Sequence, residues 1–265
     1  SMVIGAQHAK NQQYFGGYVE DVRIGQGINR YPFVPAKETL SATADTVLLI
    51  GHDGALTNDG SAGGTATASG SAAVSDFGPA GGMKSIYFDG GSDYLTLGSN
   101  SAYAIGSSDN FSIECWVYFH DFPTGHSPIL QWSTTSLGSS VANGTAFYGI
   151  SSGTSGYGSI SFQKHGVSDP FVTYANPNTH TIAEKEWIHL HVQRSGTTAK
   201  GFVNGMLTQT TTSSSWTATQ NGLYIGARHS PNYINGYISN LRFIKGSGAI
   251  IRSGDFTPPT SSLRG

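Results

Sequence analysis

Hydrophobic positions recur with a period of two along most of the chain. Phe111, Ile113, Cys115, Val117 and Phe119 alternate with Ser112, Glu114, Trp116, Tyr118 and His120. Successive side chains of an extended backbone point to opposite faces, so this segment is predicted to be a half-buried strand. Trp187–Gln193 repeats the pattern, with Ile188, Leu190 and Val192 opposite Trp187, His189, His191 and Gln193. Lys200–Val203 then runs into Asn204-Gly205 and returns through Met206-Leu207, a strong hairpin signal. Val47–Ile50, Ser85–Phe88, Tyr94–Leu97, Ile129–Trp132, Ala146–Ile150, Ser159–Lys164, Leu223–Ile225 and Gly236–Ile244 supply further short apolar segments, and helical periodicity is nearly absent. Short strands separated by Gly, Ser, Asn and Asp clusters predict an all-β chain folded as a two-sheet antiparallel sandwich. Thr57–Ser75 and Thr208–Ser215 hold few large apolar residues and are expected in loops or at exposed edges.

The chain also repeats itself once. IGAQH (Ile4–His8), GGYVEDVRIGQG (Gly16–Gly27) and PFVPAKETL (Pro32–Leu40) return as IGARH (Ile225–His229), NGYISNLRFIKG (Asn235–Gly246) and FTPPTSSL (Phe256–Leu263). The copies stand about 220 residues apart, a whole domain rather than a solenoid unit. Residues 1–40 are therefore expected to be the closing strands and linker of a preceding, truncated repeat, and residues 41–265 one complete domain. Closing strands alone cannot bury their apolar face, so Val3–Ile24 needs a partner.

Composition narrows the function. Charged residues make up 11% of 265 and the formal charge is -2, with Lys+Arg 14. So few cations offer little counterion release, which argues against nucleic acid. The apolar runs are too short for a membrane helix, so membrane insertion is not expected. Cys115 is the single cysteine, which excludes an intrachain disulfide and leaves stability to the core.

The ordered motifs resemble a known family. YFDGGSDYLTL (Tyr87–Leu97), FSIECWVYF (Phe111–Phe119), EWIHLHVQRSGTTAKGFVNGML (Glu186–Leu207) and GYISNLRF (Gly236–Phe243) are similar, in order, to motifs of the laminin-G-like branch of the concanavalin A-like jelly-roll superfamily. The resemblance covers Val47 to Leu263. VLLI-x-x-D-G (Val47–Gly54) with the closing F-T-P-P-T resembles domains found in tandem in phage virion and bacterial surface proteins. It implies a jelly-roll fold on an extracellular surface or virion. It also implies attachment to glycans, cell-surface polysaccharide or neighbouring subunits and copies, rather than catalysis. A purely structural spacer is the alternative, and a glycoside hydrolase or lyase a third.

Candidate chemistry follows from residue type. Sugar recognition uses flat aromatic faces beside hydrogen-bonding groups, and Trp132, Tyr148, Tyr157, His165 and Tyr174 lie in or beside the glycine- and serine-rich loops between the central strands. Several laminin-G-like relatives hold calcium at the sandwich rim. Asp89 and Asp93 of FDGGSD are the candidate ligands here, against an ordinary turn capped by the two acids. Glu184 and Glu186 are the nearest approach to paired catalytic carboxylates, but no third acid stands nearby and a solvated turn is the expected reading. Glu114 is expected to accept backbone or hydroxyl hydrogen bonds in a partly covered position. His189, spaced from His191 as a metal pair would be, is expected to be a satisfied structural histidine. Trp116 and Tyr118 are expected beneath a loop, and Trp187 in packing.

Overall fold

The computed structural model describes residues 44–122, 126–133, 146–152, 158–164, 172–173, 182–212, 217–228 and 232–259. These all fall in the second of the chain's two units, Ala36–Gly265. The truncated repeat and its expected boundary at residues 40 and 41 lie outside the described residues.

Fifteen strands make up the described fold: β1 Thr46–Ile50, β2 Thr67–Ser69, β3 Ala73–Ser75, β4 Ser85–Asp89, β5 Tyr94–Leu97, β6 Phe111–Phe119, β7 His126–Trp132, β8 Ala146–Ser152, β9 Gly158–Lys164, β10 Val172–Thr173, β11 Trp187–Ser195, β12 Thr198–Val203, β13 Met206–Thr212, β14 Leu223–Ile225 and β15 Asn235–Lys245. One sheet has the order β13-β12-β11-β6-β15-β4-β3, with β1 also paired to β15. The other runs β10-β9-β8-β7-β14-β5-β2. All described pairings are antiparallel, and the two sheets form the predicted sandwich.

Alternation builds the core as expected. Phe111, Ile113, Cys115, Val117 and Phe119 are all 0% exposed, and Ile188, Leu190 and Val192 join them from the neighbouring strand. The hairpin between β12 and β13 pairs Val203 with Met206 across Asn204 and Gly205, which adopt φ 49 and φ 80. Two consecutive left-handed residues are what a two-residue turn with the correct twist demands, and Asn-Gly supplies them at little cost. The polar stretches form the edge strands β2 and β3 and the exposed strand β13, mostly outside the core.

One irregularity cannot be read from the alternation. In β15 the register to β6 shifts between Ser239 and Arg242, and Asn240 takes φ 50. Plain alternation from Ile238 would aim Arg242 into the apolar core. The bulge inserts one residue, keeps Leu241 inside beside Ile238, and turns Arg242 outward opposite Glu114.

The half-buried character expected of β6 and β11 is corrected. Their outward residues Ser112, Glu114, His189, His191 and Gln193 are buried, because the segment after β15 folds back across that face.

Candidate functional site

The outward positions of the eight-stranded sheet divide into two halves. Over the first lies a carboxy-terminal strap, Ile250–Pro259, whose residues alternate between exposed and half-buried as far as Pro258. Gln193 makes a reciprocal pair with it: its Nε2 donates to the Arg252 carbonyl at 2.9 Å and its Oε1 accepts from the Arg252 N–H at 2.7 Å. Ile250 N–H donates to Ser112 Oγ, Lys200 Nζ to the Ser253 carbonyl, Phe256 N–H to the Gly205 carbonyl, Leu207 N–H to Asp255 Oδ1, and Trp116 Nε1 to the Pro259 carbonyl. The Phe256 ring packs edge-on to His189, His191 and Phe202 with centroids 5.4–5.8 Å away.

Beneath the strap is a buried charge network, in place of the partly covered glutamate expected. Glu114 Oε1 accepts from Arg242 Nε at 3.0 Å and from its Nη2, while Oε2 faces His189 Nε2 at 3.5 Å and His191 Nδ1 at 3.8 Å. Burial alone would raise the Glu114 carboxyl, but the two histidines and the Arg242 guanidinium outweigh it and hold it well below the usual range. Burial lowers the His189 imidazole, with Glu114 only partly opposing. Neither ring nitrogen of His189 has a hydrogen-bond partner, so it is structural but not satisfied. Cys115, on the core side, has its thiol pushed far up by burial, which makes it inert.

The second half of the same face is aromatic. Phe77 lies over Tyr118, Trp187 and Tyr237 with ring centroids 5.0, 5.4 and 4.9 Å away, and Tyr87 and His120 extend the group. Phe77 is held down through its own loop, since Ser85 Oγ donates to its carbonyl and Asp76 pairs with Lys84. The rings pack mainly on one another, so this is a small accessory core capped by Phe77.

The seven-stranded sheet presents a different surface. Tyr94 and Thr96 are the outward residues of β5 and Tyr224 that of β14, where Leu223 and Ile225 on either side are buried. Tyr94 stacks against Tyr233 at 6.4 Å with planes 20° apart and lies 5.9 Å from Tyr224. All three rings are half-buried. Register continues the surface: Tyr224 pairs with Gln131 of β7 on one side and with Thr96 on the other, and Thr96 pairs with Thr67. Gln131 is 4% exposed and its Oε1 accepts no hydrogen bond among the described residues. An unpaired buried acceptor costs free energy unless a partner arrives. Three half-buried aromatic rings and threonine hydroxyls, with the buried Gln131 amide beside them, make a surface suited to C–H faces and hydroxyl groups.

Of the sequence-derived aromatic site residues, the two described ones fall on this same sheet but point the wrong way. Trp132 is 0% exposed, donates to the Tyr103 carbonyl at 2.8 Å and packs on Phe162. Tyr148 is 1% exposed and also packs on Phe162. Both are core residues and cannot stack on a sugar in this structure; it is the neighbour, Gln131, that faces outward. Tyr157, His165 and Tyr174 lie outside the described residues. Tyr94 and Tyr224 were missed although the signal was present, namely a tyrosine at the position of opposite parity to the inward aliphatics in Y-L-T-L and L-Y-I.

The acids serve turns. Asp93 is buried, with Oδ1 accepting from Ser71 N–H at 2.6 Å and Oδ2 from Asp89 N–H at 3.0 Å. Asp89 Oδ1 accepts from Gly91 and Ser92 N–H, and the Gly91 bond foremost lowers its carboxyl. A cation there would have to compete with these donors. Glu184 accepts from Phe122 N–H in an exposed turn with Lys185 at φ 65, as expected of a solvated turn. His52, Asp53 and Asp59 gather within metal-ligand reach of one another. However, Asp59 addresses His52 Nε2 at 3.1 Å while Asp53 lies 3.9 Å from Nδ1, on the other edge of the ring.

Comparison with known proteins places this geometry. A laminin-G family model, described as the concanavalin A-like lectin/glucanases superfamily, matches residues 89–247, more than half of the chain. Among solved structures, the chain is similar to domain 4 of AbnA, a GH43 extracellular arabinanase from Geobacillus stearothermophilus, in complex with arabinotriose. The TM-score is 0.54 at 17% identity over 76% of this chain and 94% of that one. It is also similar to the binding domain of Paraclostridial Mosquitocidal Protein 1, with TM-score 0.55 and 12% identity over 78% of this chain and 50% of that one. The botulinum neurotoxin serotype D/C binding domain gives TM-score 0.50 and 12% identity, over 76% and 48%. The chain thus spans about half the length of the two toxin domains. At these identities the likeness is one of fold. No curated protein sequence matches the chain.

Proposed function

The chain belongs to the concanavalin A-like lectin/glucanase superfamily, and on that premise we propose that it is a non-catalytic glycan-binding module whose contact surface is the tyrosine face of the seven-stranded sheet. The carrying observation is the group Tyr94, Tyr224 and Tyr233 beside the unpaired carbonyl of Gln131. A pyranose or furanose ring stacks its C–H surface on the tyrosines and donates a hydroxyl to Gln131 Oε1. The AbnA neighbour, a domain seen with arabinotriose, and the toxin binding domains support attachment as the role. The repeat at residues 1–40 supports a place in a tandem array on a cell surface or virion, where weak sites gain strength through multivalency.

A glycan array run with calcium and again with a chelator, followed by calorimetry on the best ligand, tests this reading. Binding should survive chelation and fall about tenfold or more, roughly 1.4 kcal/mol, in Tyr224→Ala and in Gln131→Ala. Binding abolished by chelation would instead support a metal at Asp89 and Asp93. A spacer role, in which copies pair edge to edge, is the second reading. It is favoured by exposed Val74 on β3 (38%) and Met206 on β13 (42%), since an open edge with apolar side chains invites another strand. Silence on the array together with self-association in sedimentation would select it.

A further inference from the structure

The network under the strap has no part in the glycan site, yet it places two imidazoles against a carboxylate that is already paired. The geometry fixes the neutral tautomer of one of them. Gln193 Oε1 is fixed as an acceptor by the Arg252 N–H, so His191 Nε2, 3.1 Å from the same oxygen, must carry its proton. In the neutral ring His191 Nδ1 is then a lone pair 3.8 Å from Glu114 Oε2, acceptor against acceptor, and the added proton would sit there. His189 makes no well-formed hydrogen bond among the described residues, and 3.5 Å separates its Nε2 from that oxygen. Both rings are at most 1% exposed.

We propose that Ile250–Pro259 is an acid-released latch: protonation of His189 and His191 in mild acid lifts the strap from the sheet and uncovers the surface of Trp116, His189, His191 and Phe202. The charged groups around the two imidazoles are Glu114 of β6, Arg242 of β15, Lys200 of β12, and Arg252 and Asp255 of the strap itself. Arg242 already occupies Glu114 Oε1, so Oε2 can offset one imidazolium but not two. The second added proton joins Arg242 and Arg252 beneath the strap, where like charges repel. Releasing the strap removes Arg252 and lets water reach both rings. The strap is the element that can yield, because every second residue is already in water and its anchors are a few polar bonds and one ring. Burial holding His189 below its ordinary value agrees with a network assembled around the neutral ring.

Hydrogen exchange by mass spectrometry on the intact chain, corrected for intrinsic rates between pH 7.5 and pH 5.0, tests the latch. Strap peptides should lose protection below roughly pH 6.5, by up to about tenfold per pH unit for each proton required, while β6 stays protected. The double variant His189→Gln, His191→Gln should keep the strap protected down to pH 5.0. The proposal is overturned by a strap whose protection is flat with pH, by the same loss in the double variant, or by strap and β6 opening together. Should that variant not fold, histidine titrations by NMR in the unmodified chain decide. Midpoints coinciding with strap opening support the latch, and midpoints away from it overturn it.

Discussion

The outer faces of the two sheets are built by the same alternation and end in opposite states. On the eight-stranded sheet, outward Glu114, His189, His191 and Gln193 are sealed under the strap, and Trp187, Tyr118 and Tyr237 are capped by Phe77. On the seven-stranded sheet, outward Tyr94, Tyr224 and Gln131 lie under no described segment of comparable length. What separates a sealed face from a ligand surface is therefore less its own residues than whether a remote segment folds across it. The consequences differ in kind: the sealed face stores charge, whereas the other leaves three tyrosine rings half-exposed.

The largest test of this contrast is Trp132→Ala, which should cost about 3–5 kcal/mol in denaturant unfolding as a core cavity. The adjacent Gln131→Ala should leave stability within about 1 kcal/mol while weakening glycan binding. Equal stability losses at the two neighbours would break the assignment of faces. Glu114→Ala should cost a similar 3–5 kcal/mol, because it leaves Arg242 buried without its carboxylate. A near-neutral result would mean the face is wetter than its burial indicates. Phe256→Ala should destabilise by about 1–3 kcal/mol, less than a full core aromatic because the ring is half-buried, and should leave glycan affinity unchanged. Loss of affinity in that variant would join the two faces functionally.

Acid should separate the faces further. Both His189 and Glu114 are held below their ordinary values in the fold, so their contributions are intact above those values and erode as pH falls. Unfolding free energy should begin to drop below about pH 6.5 through His189, and more steeply in the carboxylate range through Glu114. A stability profile flat from pH 7.5 to 5.0 would contradict the first part. The smallest effect is expected from Tyr94→Phe, which keeps the ring and should change affinity less than about twofold, read by calorimetry.

Much of the fold is legible in the chain. The period of two placed Phe111, Ile113, Cys115, Val117 and Phe119 in the core, and Asn204-Gly205 located the β12–β13 turn. The candidate site was legible only as far as its sheet. Trp132 and Tyr148 were chosen for their residue type, but a strand's parity decides which neighbour faces out, and theirs aims them inward against Phe162. Glu114 looked isolated because its partners stand 75 and more residues away and because the Asn240 bulge reverses the parity that would have sent Arg242 into the core.

The sequence by itself thus determined which residues are strands, where the tightest hairpin turns, and which residues line the core, since each follows from the alternation of neighbours along a few residues of backbone. Tertiary structure alone decided that the outward side of β6 and β11 is buried, that Arg242 meets Glu114, and that Tyr94, Tyr224 and Gln131 share one surface. Those outcomes depend on strand register, one inserted residue and a strap more than 50 residues beyond the strands it covers, and such long-range contacts leave no periodic trace in the segments they bring together.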